Sequence, residues 1–97
     1  MTLHLIKLSV GTEDLDDLRR WHKRRLREIG HIYHRTRMMP RRRDELLAGG
    51  SIYWVIRGQV LGRQRLIGID SVIDADGRPD THLVLDPALV PTVPRPH

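Results

Sequence analysis

The chain opens on an alternation of apolar and polar positions that predicts a β-strand. His4, Ile6, Leu8 and Val10 fall on one side, Leu3, Leu5 and Lys7 on the other, and Gly11 ends the run. Thr12 then suits a helix N-cap, and Glu13, Asp14, Asp16 and Asp17 place negative charge where a helix macrodipole is positive. From there the apolar spacing becomes helical, through Leu15, Leu18, Trp21 or His22, Leu26 and Ile29. Gly30 closes a helix expected over 13–29. His31 to Met38 reads as a short strand, with Ile32, His34, Thr36 and Met38 opposing Tyr33, Arg35 and Arg37. Pro40 suits the first position of a second helix, RRRDELLA, closed by Gly49-Gly50.

The next run, SIYWVIRG, is almost continuously apolar, as in a strand covered on both faces, and Gly58 ends it. Residues 59–73 are β-rich but broken at Gly62 and Gly68, which points to bulges or a sharp bend. Asp74-Ala75-Asp76-Gly77 is a turn, and THLVLD (81–86) is the returning arm. The final stretch, PALVPTVPRPH, has four prolines in eleven residues and is expected to be extended or polyproline-like rather than packed. The order β-α-β-α-β-β-β predicts one α+β domain over 1–86 and a proline-rich tail over 87–97. Glycine-broken strands further suggest a small, curved, partly closed mixed sheet or barrel with two helices.

Composition narrows this picture. Ninety-seven residues make one domain, and with no cysteine there is neither a disulfide nor a thiolate metal site. That agrees with a cytoplasmic setting. MTLHLIKLSV mixes His4 and Lys7 into its apolar run and does not read as a signal peptide, and no window reaches a membrane-spanning length. Charge is unevenly spread. Residues 1–18 carry one base and four acids, residues 19–43 eleven bases and one acid, and residues 44–97 five bases and seven acids, giving the net charge of +5. An arginine belt in one quarter of the chain therefore supplies the whole positive excess.

The stretch TRMMPRRRDELLAGGSIYWVIRG, beginning at Thr36, resembles a bacterial family called domain of unknown function 1489, as do MTLHLIKLSVG and LVLDPALVPTVPRP. That resemblance covers nearly all of the chain and implies no activity. Because family members run further, it also implies a C-terminal truncation here. More distantly, the succession of strand, helix, strand with Thr36 and Arg37, helix ending in Gly49-Gly50, and apolar strand is similar to the PUA and ASCH superfamily. That likeness implies a small RNA-binding β-barrel. The Lys and Glu of the ASCH pattern are missing near Thr36, which weighs against amidohydrolase chemistry.

Candidate chemistry follows the charge. Arg41, Arg42 and Arg43 at a helix start, with Arg35 and Arg37 on the preceding strand, have the forked donors that hold phosphate bidentately. Tyr33 beside Arg35 offers a ring on which a base can stack, and Arg63 and Arg65 share one strand face that extends the basic surface. A solvated basic face explains the same counts. Arg19, Arg20, Lys23, Arg24, Arg25 and Arg27 read mainly as helix solubility and dipole design. Trp54 reads as core. His22, His31 and His34 lack acidic partners at metal-ligand spacing, and the acids Asp70, Asp74, Asp76 and Asp80 read as a solvated turn. No metal, cofactor or membrane partner is expected. Three functions remain: a non-catalytic domain binding RNA or another polyanion, a protein-interaction or homodimer module, and a small amidohydrolase-like enzyme acting on a modified nucleoside, with Thr36 in a closed pocket.

Overall fold

The computed structural model describes residues 2–37 and 39–96. Its elements are β1 (Leu5–Leu8), α1 (Leu15–Ile29), β2 (Ile32–Thr36), α2 (Arg43–Leu47), β3 (Ser51–Ile56), β4 (Gln59–Ile73) and β5 (Pro79–Pro96). The strands form one five-stranded mixed sheet in the order β1-β3-β4-β5-β2. β1 runs parallel to β3, and every other pairing is antiparallel. The α+β class is as expected, but the barrel is not. β1 and β2 are the two edges of the sheet and do not pair, so the sheet is curled and open. Both edge strands are short, and α1 packs against β2 and β5.

Local sequence explains most element ends. The N-cap of α1 is Asp14 rather than Thr12: the Asp14 carboxylate accepts from the Asp17 N–H at 2.8 Å. The Thr12 hydroxyl is engaged instead with Ser9 Oγ at 2.7 Å, so the helix begins at Leu15. At the other end Gly30 takes the left-handed conformation that its lack of a Cβ permits, and its N–H donates to the Leu26 carbonyl at 2.9 Å. α2 is a single turn of five residues, shorter than the expected RRRDELLA, because Arg42 at its N-cap supplies no side-chain acceptor for the first amides. β3 and β4 are joined through Arg57 and Gly58, both at positive φ, the conformation of a tight two-residue hairpin.

The β4–β5 ladder bends where the sequence suggested. Its register shifts between Val60 and Gly62, Gln64 and Leu66, and Leu66 and Gly68. Gly62 also lets Leu15 of α1 settle directly on the sheet, in space that a Cβ would fill. The expectation of an unpacked tail is corrected. Residues 87–96 are extended, but they continue β5 and pair with β4, from Gln64↔Leu89 to Gln59↔Pro96. Prolines are tolerated because β2 pairs only with residues 81–85, leaving the later stretch of β5 with one open edge where a missing N–H removes no ladder bond.

The core is built from Leu18, Ile32, Leu46, Ile52, Trp54, Ile56, Leu66, Ile69, Leu83 and Leu85. Within it lies one fully buried amide, Gln64. Its Oε1 accepts from the Trp54 indole N–H at 2.9 Å, and its Nε2 donates to the Asp86 carbonyl at 3.1 Å, tying β3, β4 and β5 together. Gly50 is equally constrained, since a Cβ there would fall on the backbone oxygens of Leu46 and Leu3.

Two substitutions and one control test this packing by urea unfolding. Gln64→Ala strands two buried polar groups and opens a void, and should cost about 3 kcal/mol. Gly50→Ala should cost more than about 3 kcal/mol or prevent folding. Gly77→Ala, which meets no atom, should lose only about 1 kcal/mol through its positive φ.

Candidate nucleic-acid interface

The arginines singled out by sequence lie in three places, and several are already occupied. Arg35 on β2 donates through Nε to Asp80, and its Nη2 lies 3.6 Å from Asp74. Asp80 is buried and Asp74 half-buried, which corrects the reading of these two acids as part of a solvated turn, whereas Asp70 and Asp76 are exposed as expected. Asp74 also organises the β4–β5 turn, its Oδ1 accepting from the amides of Asp76 at 2.9 Å and Arg78 at 2.8 Å. Arg35 thus straps the edge strand to that turn. Arg42 is held by both oxygens of Glu45, one of them at 3.0 Å. The Nε of Arg43 donates to the Ile69 carbonyl on β4 at 3.1 Å, and its Nη1 lies 3.5 Å from Asp44.

Arg37 and Arg41 are exposed and have no ion pair among the described residues. Arg63 and Arg65 share the outer face of β4, beside Gly49, Ser51, Asp86 and Val90. Tyr33 is not a free stacking platform: the His82 imidazole stacks on it at 4.0 Å with an interplanar angle of 11°.

Helix α1 contributes more than its sequence suggested. Its first-turn acids are used locally, Asp16 pairing with Arg19 at 3.1 Å and Asp17 with Arg20. Lys23, Arg24, Arg25 and Arg27 therefore follow with no ion pair among the described residues. Trp21, just before them on the same helix, is 49% exposed. The Arg25 guanidinium carbon sits 5.1 Å from the centre of the Trp21 ring and 5.0 Å from that of Tyr33, bridging α1 to β2. Periodicity places Trp21 and Arg25 one turn apart, but nothing local to the helix reveals that Tyr33 completes the stack.

Behind this bridge is a cleft of about 220 Å³, walled by the tip of β1, α1 and β2. Its apolar floor is Leu18 and Trp54, and His22 and His34 face it. The His34 ring meets Trp54 edge-on at 5.3 Å, and His22 lies 6.2 Å from Trp54. Trp54 is core, as its strand suggested, yet one part of it reaches this cleft. Burial drives the His22 imidazole from its ordinary 6.5 to about 4, with Arg25 and His34 adding to the effect. His34 is lowered too, by burial first and then by Lys7. Both rings are neutral at pH 7. Thr36 lies outside the four principal clefts. Among the described residues no group of three or more His, Asp or Glu is placed to hold a metal ion, and no helix is long and apolar enough to cross a membrane.

A family model, described as Protein of unknown function (DUF1489), matches residues 5–97. The chain belongs to this family. The match spans every element of the sheet and both helices, so the cleft and the basic half of α1 lie inside the family's shared region. No curated protein and no solved structure matches the chain.

The two neutral imidazoles give a pH dependence of defined sign. An unfolded chain takes up the His22 proton near 6.5, whereas the folded chain resists it until about 4. The unfolded state therefore binds more protons in that window, and folding stability should fall as pH is lowered from 6.5 to 4. The groups facing His22 are Arg25 on its own helix, His34 on β2 and the Trp54 ring on β3. Urea midpoints at pH 7, 5 and 4 check this, and His22→Gln should flatten the profile.

Proposed function

We propose that this chain is a non-catalytic RNA-binding domain acting in the cytoplasm. In this reading phosphates lie along α1, and the half-exposed Trp21 stands beside them. The observation that carries it is the presence, along one helix, of Lys23, Arg24 and Arg27 with no ion pair among the described residues and of the exposed Trp21 ring, one turn from Arg24. Unpaired cations attract a polyanion and release its counterions, and an exposed indole stacks on any base. Arg37 and Arg41 are further phosphate contacts in this proposal, and Arg63 and Arg65 can extend the surface around the outer face. Arg35, Arg42 and Arg43 serve mainly to hold the fold, because their guanidinium groups are already hydrogen-bonded within it.

A protein partner or a second copy of the chain is the alternative, and a different surface favours it. The outer face of the sheet carries an apolar strip of Ile6, Tyr53, Val60 and Val93, with Ile6 56% and Val93 77% exposed. Sedimentation at micromolar concentration separates the readings: a dimer abolished by Ile6→Lys favours this second one.

Binding of a fluorescent single-stranded RNA, titrated at several salt concentrations, tests the first reading. Replacing Lys23, Arg24 and Arg27 together with Glu should weaken binding at least tenfold and lower the salt slope by about 2. Arg42→Ala should change affinity less than about twofold, because that charge is already paired. Equal affinity for wild type and the triple variant would overturn the proposal.

A further inference from the structure

Phosphate contacts leave the cleft behind Arg25 without a use, and its chemistry differs from the surface around it. The floor is apolar, the facing imidazoles are uncharged at pH 7, and the cations stand at the rim. The Nδ1 of His22 is buried with no hydrogen-bond partner. Such an orphaned ring nitrogen is uncommon inside a protein and calls for an explanation. At the mouth, the Arg25 guanidinium already sits against both Trp21 and Tyr33, 5.1 and 5.0 Å from their ring centres. A mouth that holds one planar group against aromatic rings can exchange it for another. An anion is a poor occupant of the interior, since it would be desolvated against Leu18 and Trp54 while the cations stay at the rim. A metal cation is disfavoured by Arg25 and Lys7. A planar, uncharged group with hydrogen-bonding edges fits both the mouth and the imidazoles.

Resting on the RNA reading above, we propose that this cleft takes one unpaired nucleobase of the bound strand. The base stacks on Trp21 in place of Arg25 and turns its edge toward His22 and His34. The released Arg25 guanidinium is then free to meet the adjoining phosphate. The cleft is thus the one part of the interface that senses a base, while α1 senses only the backbone.

Two measurements on the full chain test this. In the first, uncharged nucleosides are titrated against isotopically labelled protein, and the indole signals of Trp21 and Trp54 and the imidazole signals of His22 and His34 are followed by NMR. At least one nucleoside should shift all four rings. In the second, single-stranded RNA is compared with a strand carrying one abasic position, using wild type and Trp21→Ala. Trp21→Ala should weaken the intact strand about tenfold without changing its salt slope, and should abolish discrimination against the abasic strand. His34→Gln, a milder change, should alter which nucleoside is preferred. If strands bind with normal salt dependence while the four rings stay unmoved and Trp21→Ala has no effect, the base site is overturned and the RNA reading stands. If nucleosides shift the rings but no strand binds at any salt concentration, the RNA reading is overturned and the base site stands.

Discussion

A single amide at the centre of the sheet holds its curvature in place. Gln64 is fully buried, yet it meets both its obligations, taking the indole proton of Trp54 and donating to the carbonyl of Asp86. The partners lie on the strands either side of it, at the point where the β4–β5 register slips between Gln64 and Leu66. A slip of this kind leaves a backbone carbonyl without a ladder partner, and burial would make that costly. Gln64 removes the cost and thereby permits the bend. The bend in turn curls the sheet until a ring on β2 touches a ring on β3, which are not neighbours in strand order. The cleft is a consequence of that approach, and so is the fixed orientation of its Trp54 floor.

Much of the fold was legible because it follows from local rules. The bounds of β4, the left-handed Gly30 and the strand around Trp54 come from periodicity, from glycine's freedom at positive φ and from a run of apolar residues. The failures share one cause, which is that each depends on what lies opposite in space. Prolines argued against a packed tail, but a strand paired on one side only has no use for the missing amide. Thr12 was the expected cap, but Ser9 engages its hydroxyl and Asp14 caps the helix instead. Bending was foreseen from Gly62 and Gly68, whereas closure depended on the edge strands meeting, and sequence carries no signal for that.

The site shows the same division. Counting charge located a basic quarter of the chain but could not tell free cations from satisfied ones. Arg35 finds Asp80 across 45 residues, and Arg43 finds the Ile69 carbonyl across 26. Conversely, helix design accounted for Lys23 and Arg24 so readily that their freedom from partners went unnoticed. The cleft drew on Val10, Trp21, Tyr33 and Trp54, four residues from four separate elements and connecting segments. No spacing rule joins such residues; only the tertiary arrangement does.

The connectivity of β1 adds a dynamic side to this geometry. This strand is held by four register positions along β3 and contributes no fully buried side chain to the core. The hairpins of β3, β4 and β5 are by contrast long, sequence-local and deeply packed. Opening free energies in a protein follow such differences, so the N-terminal strand belongs to the part of the molecule that exchanges its amides soonest. Its tip also forms one wall of the cleft. Breathing of that strand would widen the entrance while the Trp54 floor stays fixed.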